Sequence, residues 1–390
     1  MKHLGALSFI AFSQNFSLLL VGEGLYFYTH HHLAFTELEN LTVALTRGVV
    51  FVLAALASHT LSVRLGERRQ MLLTMVGQII CYGTIFAMPT NAPLLVGAMV
   101  LYNAFSGLKW PVIESYFSAG KTPRENVKAV GWFNISWSCG APLGIMFAGP
   151  IIGSSQPQLL FAIAIAFDAL CLLALLPLES RPKHLPFDHP EQPDARQRDR
   201  YGKLLVSSRW SMMLSYTLFH MVSPLLPEVF DHLAVPVALA TIYAAWLHLA
   251  RLGVFLLMRR FVGWHGRPFV QACAIIALPL GFAMIITETS LPAVLIGQLL
   301  FGSAAGLCYY ASLYYAMVIH SSSVDAGGKH EATIGMGAAV GPLAGLASVK
   351  LTAILQSLTL GMAAGMGPII AFATVLAARP LTRLRRSSDA

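Results

Sequence analysis

Apolar runs of about twenty residues recur along the whole chain, and no other sequence feature limits its fold so tightly. Roughly 20 predominantly apolar residues is the length an α-helix needs to cross a bilayer. Twelve such runs are present, at 4–29, 41–62, 71–89, 92–114, 129–150, 158–177, 211–231, 237–258, 268–287, 291–317, 332–356 and 360–378. Strands of a membrane barrel would be shorter and would alternate apolar with polar residues; these runs do neither. Composition agrees, since only 11% of residues are charged and 56% are hydrophobic, whereas a soluble domain carries about a quarter charged residues. The sequence predicts an all-α polytopic membrane protein. Its first run, interrupted by Gln14, Asn15 and Glu23 and followed by no small-residue cleavage site, reads as a membrane helix rather than a signal segment.

The basic residues set the orientation. Of 26 Lys and Arg, 22 lie at the N-terminus, in loops after even-numbered runs, or in the C-terminal tail. The others, Arg47, Lys109, Arg251 and Lys350, lie within the runs, and connectors on the opposite side such as PTNA (89–92) and GSSQP (153–157) carry none. This positive-inside pattern predicts that both termini are cytoplasmic. The net charge of +8 follows from that topology and from contact with anionic lipid, and no nucleic-acid partner is expected. All five cysteines fall within the runs and read as small apolar fillers rather than disulfides.

A polar, Pro-rich stretch at 178–210 separates two sets of six runs. The expected organisation is an N-terminal six-helix bundle (1–177), a cytoplasmic linker (178–210), a C-terminal six-helix bundle (211–379) and a basic cytoplasmic tail (380–390). Three pairs of segments recur in the same order. LSVRLGERRQ (61–70) and RRFVGWHGRPF (259–269) are both basic loops with glycine followed closely by arginine, at Gly66 and Arg68 and at Gly266 and Arg267. FSGLKWP (105–111) and SAAGLCYY (303–310) share Gly-Leu, and GAPLG (140–144) corresponds to GAAVGPLAG (337–345). Ordered correspondences of this kind indicate internal duplication, a common transporter architecture.

Twelve runs, a central linker and these repeats resemble the major facilitator superfamily. Arg64, Gly66, Arg68 and Arg69 match that family's loop signature, although Val63 stands at its aspartate position and His59 at its leading glycine. Gly337, Gly341, Pro342 and Gly345 match GxxxGPxxG, which the family carries in helix five of proton-coupled exporters and which stands here in the eleventh run. The resemblance implies two pseudo-symmetric six-helix bundles, with helices one, four, seven and ten lining a central cavity, and transport of a small-molecule substrate.

Ionisable groups within a bilayer cost at least ~2.5–3.5 kcal/mol near a helix centre, so they are the first site candidates. Glu23 and Arg47 sit at similar depth on neighbouring antiparallel runs, either as a proton-carrying carboxylate with its arginine or as a structural ion pair. Asn103, Ser106, Trp110 and Glu114 share one helical face, with Lys109 beside it. This face reads as a cavity wall, with Trp110 available to stack on substrate, although Glu114 also fits an interfacial anchor. His220, His248 and Arg251 add polar groups to runs seven and eight; His248 is either a titrating or a satisfied structural histidine. Tyr310 and Tyr314 share a face and form either an aromatic-polar wall or packing. Asp168 is assigned a lateral polar contact. The HHH segment at 30–32 lacks zinc-like ligand spacing, and no metal or cofactor is expected.

Lys329, His330 and Glu331 are read as the cytoplasmic start of helix eleven, with Glu331 facing the helix dipole. Gly337, Gly341 and Gly345 form a small-residue face for close helix approach. No phosphate-binding Gly-rich Lys loop is present, and no nucleophile–base–orienter set points to an enzyme. The expected function is secondary active transport by alternating access, proton-coupled and outward, by a monomer in the cell (inner or plasma) membrane. Uptake of a sugar or organic acid, by symport or facilitation, is the alternative, and a non-transporting receptor or assembly protein is a further one.

Overall fold

The computed structural model describes residues 3–183, 194–287, 289–319 and 324–388. Among these, the chain forms twelve long helices and no strand. They are α1 (Leu4–Leu33), α2 (Glu37–Leu65), α3 (Glu67–Ala87), α4 (Ala92–Ser118), α5 (Pro123–Ile152) and α6 (Leu159–Ala174). After the linker come α7 (Ala195–Val222), α8 (Val237–Arg260), α9 (Phe269–Ile286), α10 (Leu291–Ile319), α11 (Val324–Leu355) and α12 (Leu358–Ser388). Beyond α7 come a short turn and the helix Leu226–His232. Ten of the helices are long and apolar enough to cross a membrane, and α6 is apolar but shorter. Large apolar side chains such as Leu53, Ile80, Leu173, Ile276 and Ile354 stay exposed around the outside, as lipid-facing residues do.

Local chemistry fixes several helix starts. Thr36 with Glu39, and Thr122 with Glu125, form capping boxes at α2 and α5, each satisfying two N–H groups that the first turn leaves unpaired. Asn91 caps α4, and Asp194 caps α7 by accepting from the Gln197 N–H at 2.7 Å.

Packing repeats between the halves. Helix α1 packs on α5 as α7 packs on α11, α2 on α4 as α8 on α10, and α3 on α4 as α9 on α10. The sequence repeats fall on these equivalent seams. A Cβ at Gly140 or Gly144 would meet α1 backbone oxygens at 2.3 and 2.4 Å, and one at Gly341 would meet Thr217 O of α7 at 2.1 Å. Gly107 likewise abuts Phe51 O of α2, and Gly306 abuts Val254 of α8. The halves meet mainly along two symmetry-related contacts, α2 with α11 and α5 with α8.

Three boundaries differ from the sequence reading. The second half of the predicted linker is helical, because Asp194 caps a helix that extends α7 towards the basic loops; residues 184–193 lie outside the described set. The basic tail continues α12 as far as Ser388. Helix α11 starts at Val324, so His330 and Glu331 stand well inside it and are 1% and 5% exposed. They are not a solvated helix start.

Both signature loops are tied to the segments flanking the linker. Gly66 and Gly266 adopt positive φ of 81° and 73°, a region open to glycine at little cost. Arg181 donates to Val63 O at 3.3 Å and the Arg68 N–H to Ser180 O at 3.4 Å. In the second half Arg200 donates to Gly266 O at 2.7 Å, while Arg267 points to solvent. The arginines in and beside both signature loops thus anchor, or stand beside, loops within their own half.

Candidate functional site: a central cavity

A cavity of about 130 Å³ lies between the halves, roughly ten times the ~10–15 Å³ that one water needs on the same measure. Its walls come from both halves. Of the residues expected there, Glu23, Arg47, Asn103, Trp110, His220, His248 and Arg251 line it.

The two arginines sit in matching surroundings. In α1, residues Leu18–Glu23 wind as a π-helix, a local widening that recurs at functional sites. Arg47 donates to the Gly22 carbonyl at the end of this segment and to the Tyr26 hydroxyl, each at 3.0 Å, and its guanidinium lies 5.5 Å from the Tyr26 ring centroid. In the second half, an Arg251 terminal nitrogen lies 2.9 Å from His248 Nδ1, and the guanidinium lies 4.9 Å from the Trp137 ring. The Nε of each arginine is buried without a hydrogen-bond partner. Glu23 stands in the field of both arginines, but no Glu23–Arg47 pair closes to within 4.0 Å among the described residues. The simple ion pair anticipated from sequence does not form, because Arg47 turns to the π-helix carbonyl and Tyr26.

Four expected wall residues lie elsewhere. Lys109 is buried inside the first half, donating to Gln14 of α1 and Gln78 of α3. Gln14 in turn donates to Asp168 Oδ1 at 2.8 Å, so the polar contact of Asp168 is made sideways from α6 to α1, within an internal network. Tyr310 packs against Phe255 and Trp264, and Tyr314 stacks 4.2 Å from His265 with its hydroxyl 3.2 Å from Nδ1. Both tyrosines support the loop between α8 and α9. Burial lowers the pKa of His265 to about 4. Glu114 lies one step below the cavity on its helical stripe, 2% exposed, beside His330 and Glu331.

Sequence reasoning missed Tyr26, Trp137, Tyr216, Tyr309 and Glu331, all of which line the cavity. Tyr26 and Trp137 carried a usable signal, since a buried arginine in a membrane needs an aromatic or carbonyl partner. On the face opposite the basic loops, His30 Nε2 lies 2.8 Å from Asp231 Oδ2, and His32 Nε2 lies 2.8 Å from Ile152 O. The first contact ties the halves together, so the HHH segment serves as an outer strap. His30, His31 and Asp231 also stand close enough to group as ligands, though mostly exposed.

Two helical bundles with an apolar exterior thus enclose a central cavity lined by aromatic, apolar and a few charged side chains, an architecture suited to passing a solute through a membrane. The Major Facilitator Superfamily profile matches residues 4–349, and the chain belongs to that family. Its fold is similar to the crystal structure of the human organic anion transporter MFSD10 (TETRAN), with a TM-score of 0.70 over 96% of this chain and 98% of that one, at 14% identity. No curated protein matches the chain by sequence.

Proposed function

We propose that this transporter moves a small organic anion by alternating access, binding it between Arg47 and Arg251. The observation carrying the proposal is the pair of guanidinium groups, one from each half, facing a single cavity with no carboxylate within 4.0 Å of either among the described residues. An unpaired charge in such a setting is costly, and an anionic substrate would supply the missing partner. Tyr26, Trp110, Trp137 and Tyr309 supply aromatic surface for the organic part of such a ligand. The structurally similar MFSD10 is an organic anion transporter, which is consistent with this reading.

Proton coupling is assigned to Glu23, which reaches the cavity and feels both arginines. Substrate charge and Glu23 charge would then compete for the same positive field. Outward transport rests on the GxxxGP signature in α11, and the positive-inside pattern places the basic loops on the cytoplasmic side of the cell membrane. The transporter acts as a monomer, since the cavity is complete within one chain.

Proteoliposome flux over a panel of organic anions and cations tests this. Anion uptake or counterflow should fall by about 30-fold or more in Arg251→Gln and Arg47→Gln, as truncating one partner of a buried charge pair costs ~2–5 kcal/mol. Cation-selective flux unaffected by either substitution would refute it. Glu23→Gln should keep substrate exchange but lose acceleration by a pH gradient.

A further inference from the structure

Below the cavity, on its basic-loop side, three ligating side chains converge from opposite halves. Glu114 comes from α4, and His330 and Glu331 come from α11; one ligand atom of each lies within 4.8 Å of the others. Both carboxylate oxygens of Glu114 and both ring nitrogens of His330 are buried without any hydrogen-bond partner. Among the described residues, no lysine or arginine forms an ion pair with either glutamate. Glu331 also lines the cavity, which gives a hydrated ion a path to the cluster. Gly327 leaves room for the Glu114 carboxylate, since a Cβ there would stand 2.9 Å from Oε2.

We propose that Glu114, His330 and Glu331 bind one divalent d-block cation, of the zinc type, and that the ion bridges the two halves at the base of the cavity. This departs from the expectation that the chain holds no metal. The chemistry of the donors selects the ion. Two carboxylates bring two negative charges that one divalent cation neutralises, and an imidazole favours zinc-like metals over magnesium or calcium. At metal–ligand distances of ~2.0–2.2 Å, tetrahedral ligands stand about 3.4 Å apart. The triad therefore needs to close by at most about 1.4 Å, which carboxylate rotations supply, with water as the fourth ligand. Binding uses ionised carboxylates and neutral imidazole, so any proton the cluster holds is released to water as the ion enters. Arg209 is the positive group whose field reaches His330, and it weakens binding without blocking a ligand atom. Because the ligands come from both halves, the bound ion favours the arrangement in which α4 and α11 touch. The site is independent of which solute occupies the cavity above it.

The test uses the full-length protein in nanodiscs, with any affinity tag removed, titrated with Zn²⁺ alone by calorimetry and with Co²⁺ by visible absorption. Wild type should bind one tight equivalent, and Co²⁺ should show the bands of a low-coordinate nitrogen–oxygen site. Glu114→Gln, Glu331→Gln and His330→Gln should each weaken that equivalent at least tenfold and abolish the Zn²⁺-dependent rise in melting temperature. His31→Ala, which alters the rim cluster only, should leave it intact. The near-isosteric glutamine variants limit misfolding, and monodisperse size-exclusion profiles confirm it. Failure of wild type to bind Zn²⁺, or binding lost in His31→Ala but kept in the three glutamine variants, overturns the proposal. Uptake of a single shared proton by the glutamate pair without any metal binding also overturns it.

Discussion

Gly48 of α2 sits where the halves meet, and its substitution by alanine gives the sharpest test of how they move. An added Cβ would stand 2.2 Å from Ala338 O, 2.5 Å from Ala338 C and 2.7 Å from Ala339 N of α11. All three are backbone atoms, so no side-chain rotation relieves the clash. A carbon–oxygen contact settles at ~3.3–3.6 Å, so the helices must part locally by about 1.1–1.4 Å. Overpacking of this kind costs ~1–3 kcal/mol, and the cost falls only on conformations in which α2 and α11 touch here. If alternating access separates the halves along this seam, Gly48→Ala shifts the population towards separated states by ~5–150-fold.

Spin labels at Gln156 and Ser290, both exposed and on the face opposite the basic loops, report that separation as a distance distribution in a background lacking the native cysteines. The control is Gly341→Ala, whose Cβ would stand 2.1 Å from Thr217 O of α7. That contact is equally tight, but it lies within one half and persists in every state. Gly341→Ala should therefore lower the melting temperature and leave the distances unchanged, while Gly48→Ala should change the distances. Identical behaviour of the two variants, each losing stability with unaltered distances, would refute the reasoning that the α2–α11 contact opens.

The network inside the first half predicts strong coupling. Lys109→Met or Asp168→Asn alone leaves a buried charge opposite Gln14 and should cost ~3–5 kcal/mol, whereas the double substitution should recover most of it; additive losses in thermal melts would show that the two charges do not communicate. His265 predicts a pH effect. Burial depresses its pKa from 6.5 to about 4, so the unfolded chain binds more protons across that window, and stability is lost as pH falls from 6.5 towards 4. His265→Phe, which keeps a ring against Tyr314, should flatten the fall of melting temperature over that range relative to wild type; an unchanged slope would show that His265 is not held neutral. Gly266→Ala should destabilise the α8–α9 loop because of its φ of 73°, read as faster amide exchange confined to that loop.

Bilayer length and positive-inside charge were enough to read twelve helices and their order from the sequence, because both are one-dimensional constraints that a single segment satisfies by itself. The internal repeats were legible for a related reason. Gly140 and Gly144, like Gly341, face a neighbouring backbone too closely for any side chain, so composition records the contact directly. Which face of a helix meets the cavity is a different kind of fact. On α10, Tyr309 lines it while Tyr310 packs beneath the α8–α9 loop, and the two differ by one residue of identical chemistry. Only the rotation of α10 about its own axis separates them, and that rotation is set by Phe255, Trp264 and Trp137 on other elements.

The same limit explains the reading of Lys329, His330 and Glu331 as a helix start. A charged triplet that follows two glycines and ends in glutamate, just before a glycine-rich apolar run, reads locally as a first helical turn. What overrides it is the length of α11, which begins at Val324 and leaves His330 and Glu331 buried inside the helix. Their neighbour in that setting is Glu114, more than two hundred residues earlier in the chain, and no local pattern can announce it. Burial without partners is therefore the informative property. Arg47, Arg251, Glu114 and His330 all keep polar atoms unbonded beside the seam between the halves. The Lys109–Gln14–Asp168 network is enclosed within one half, whereas these four groups lie where side chains of both halves meet. Groups left open between two bodies are the ones that a ligand, rather than the fold, completes.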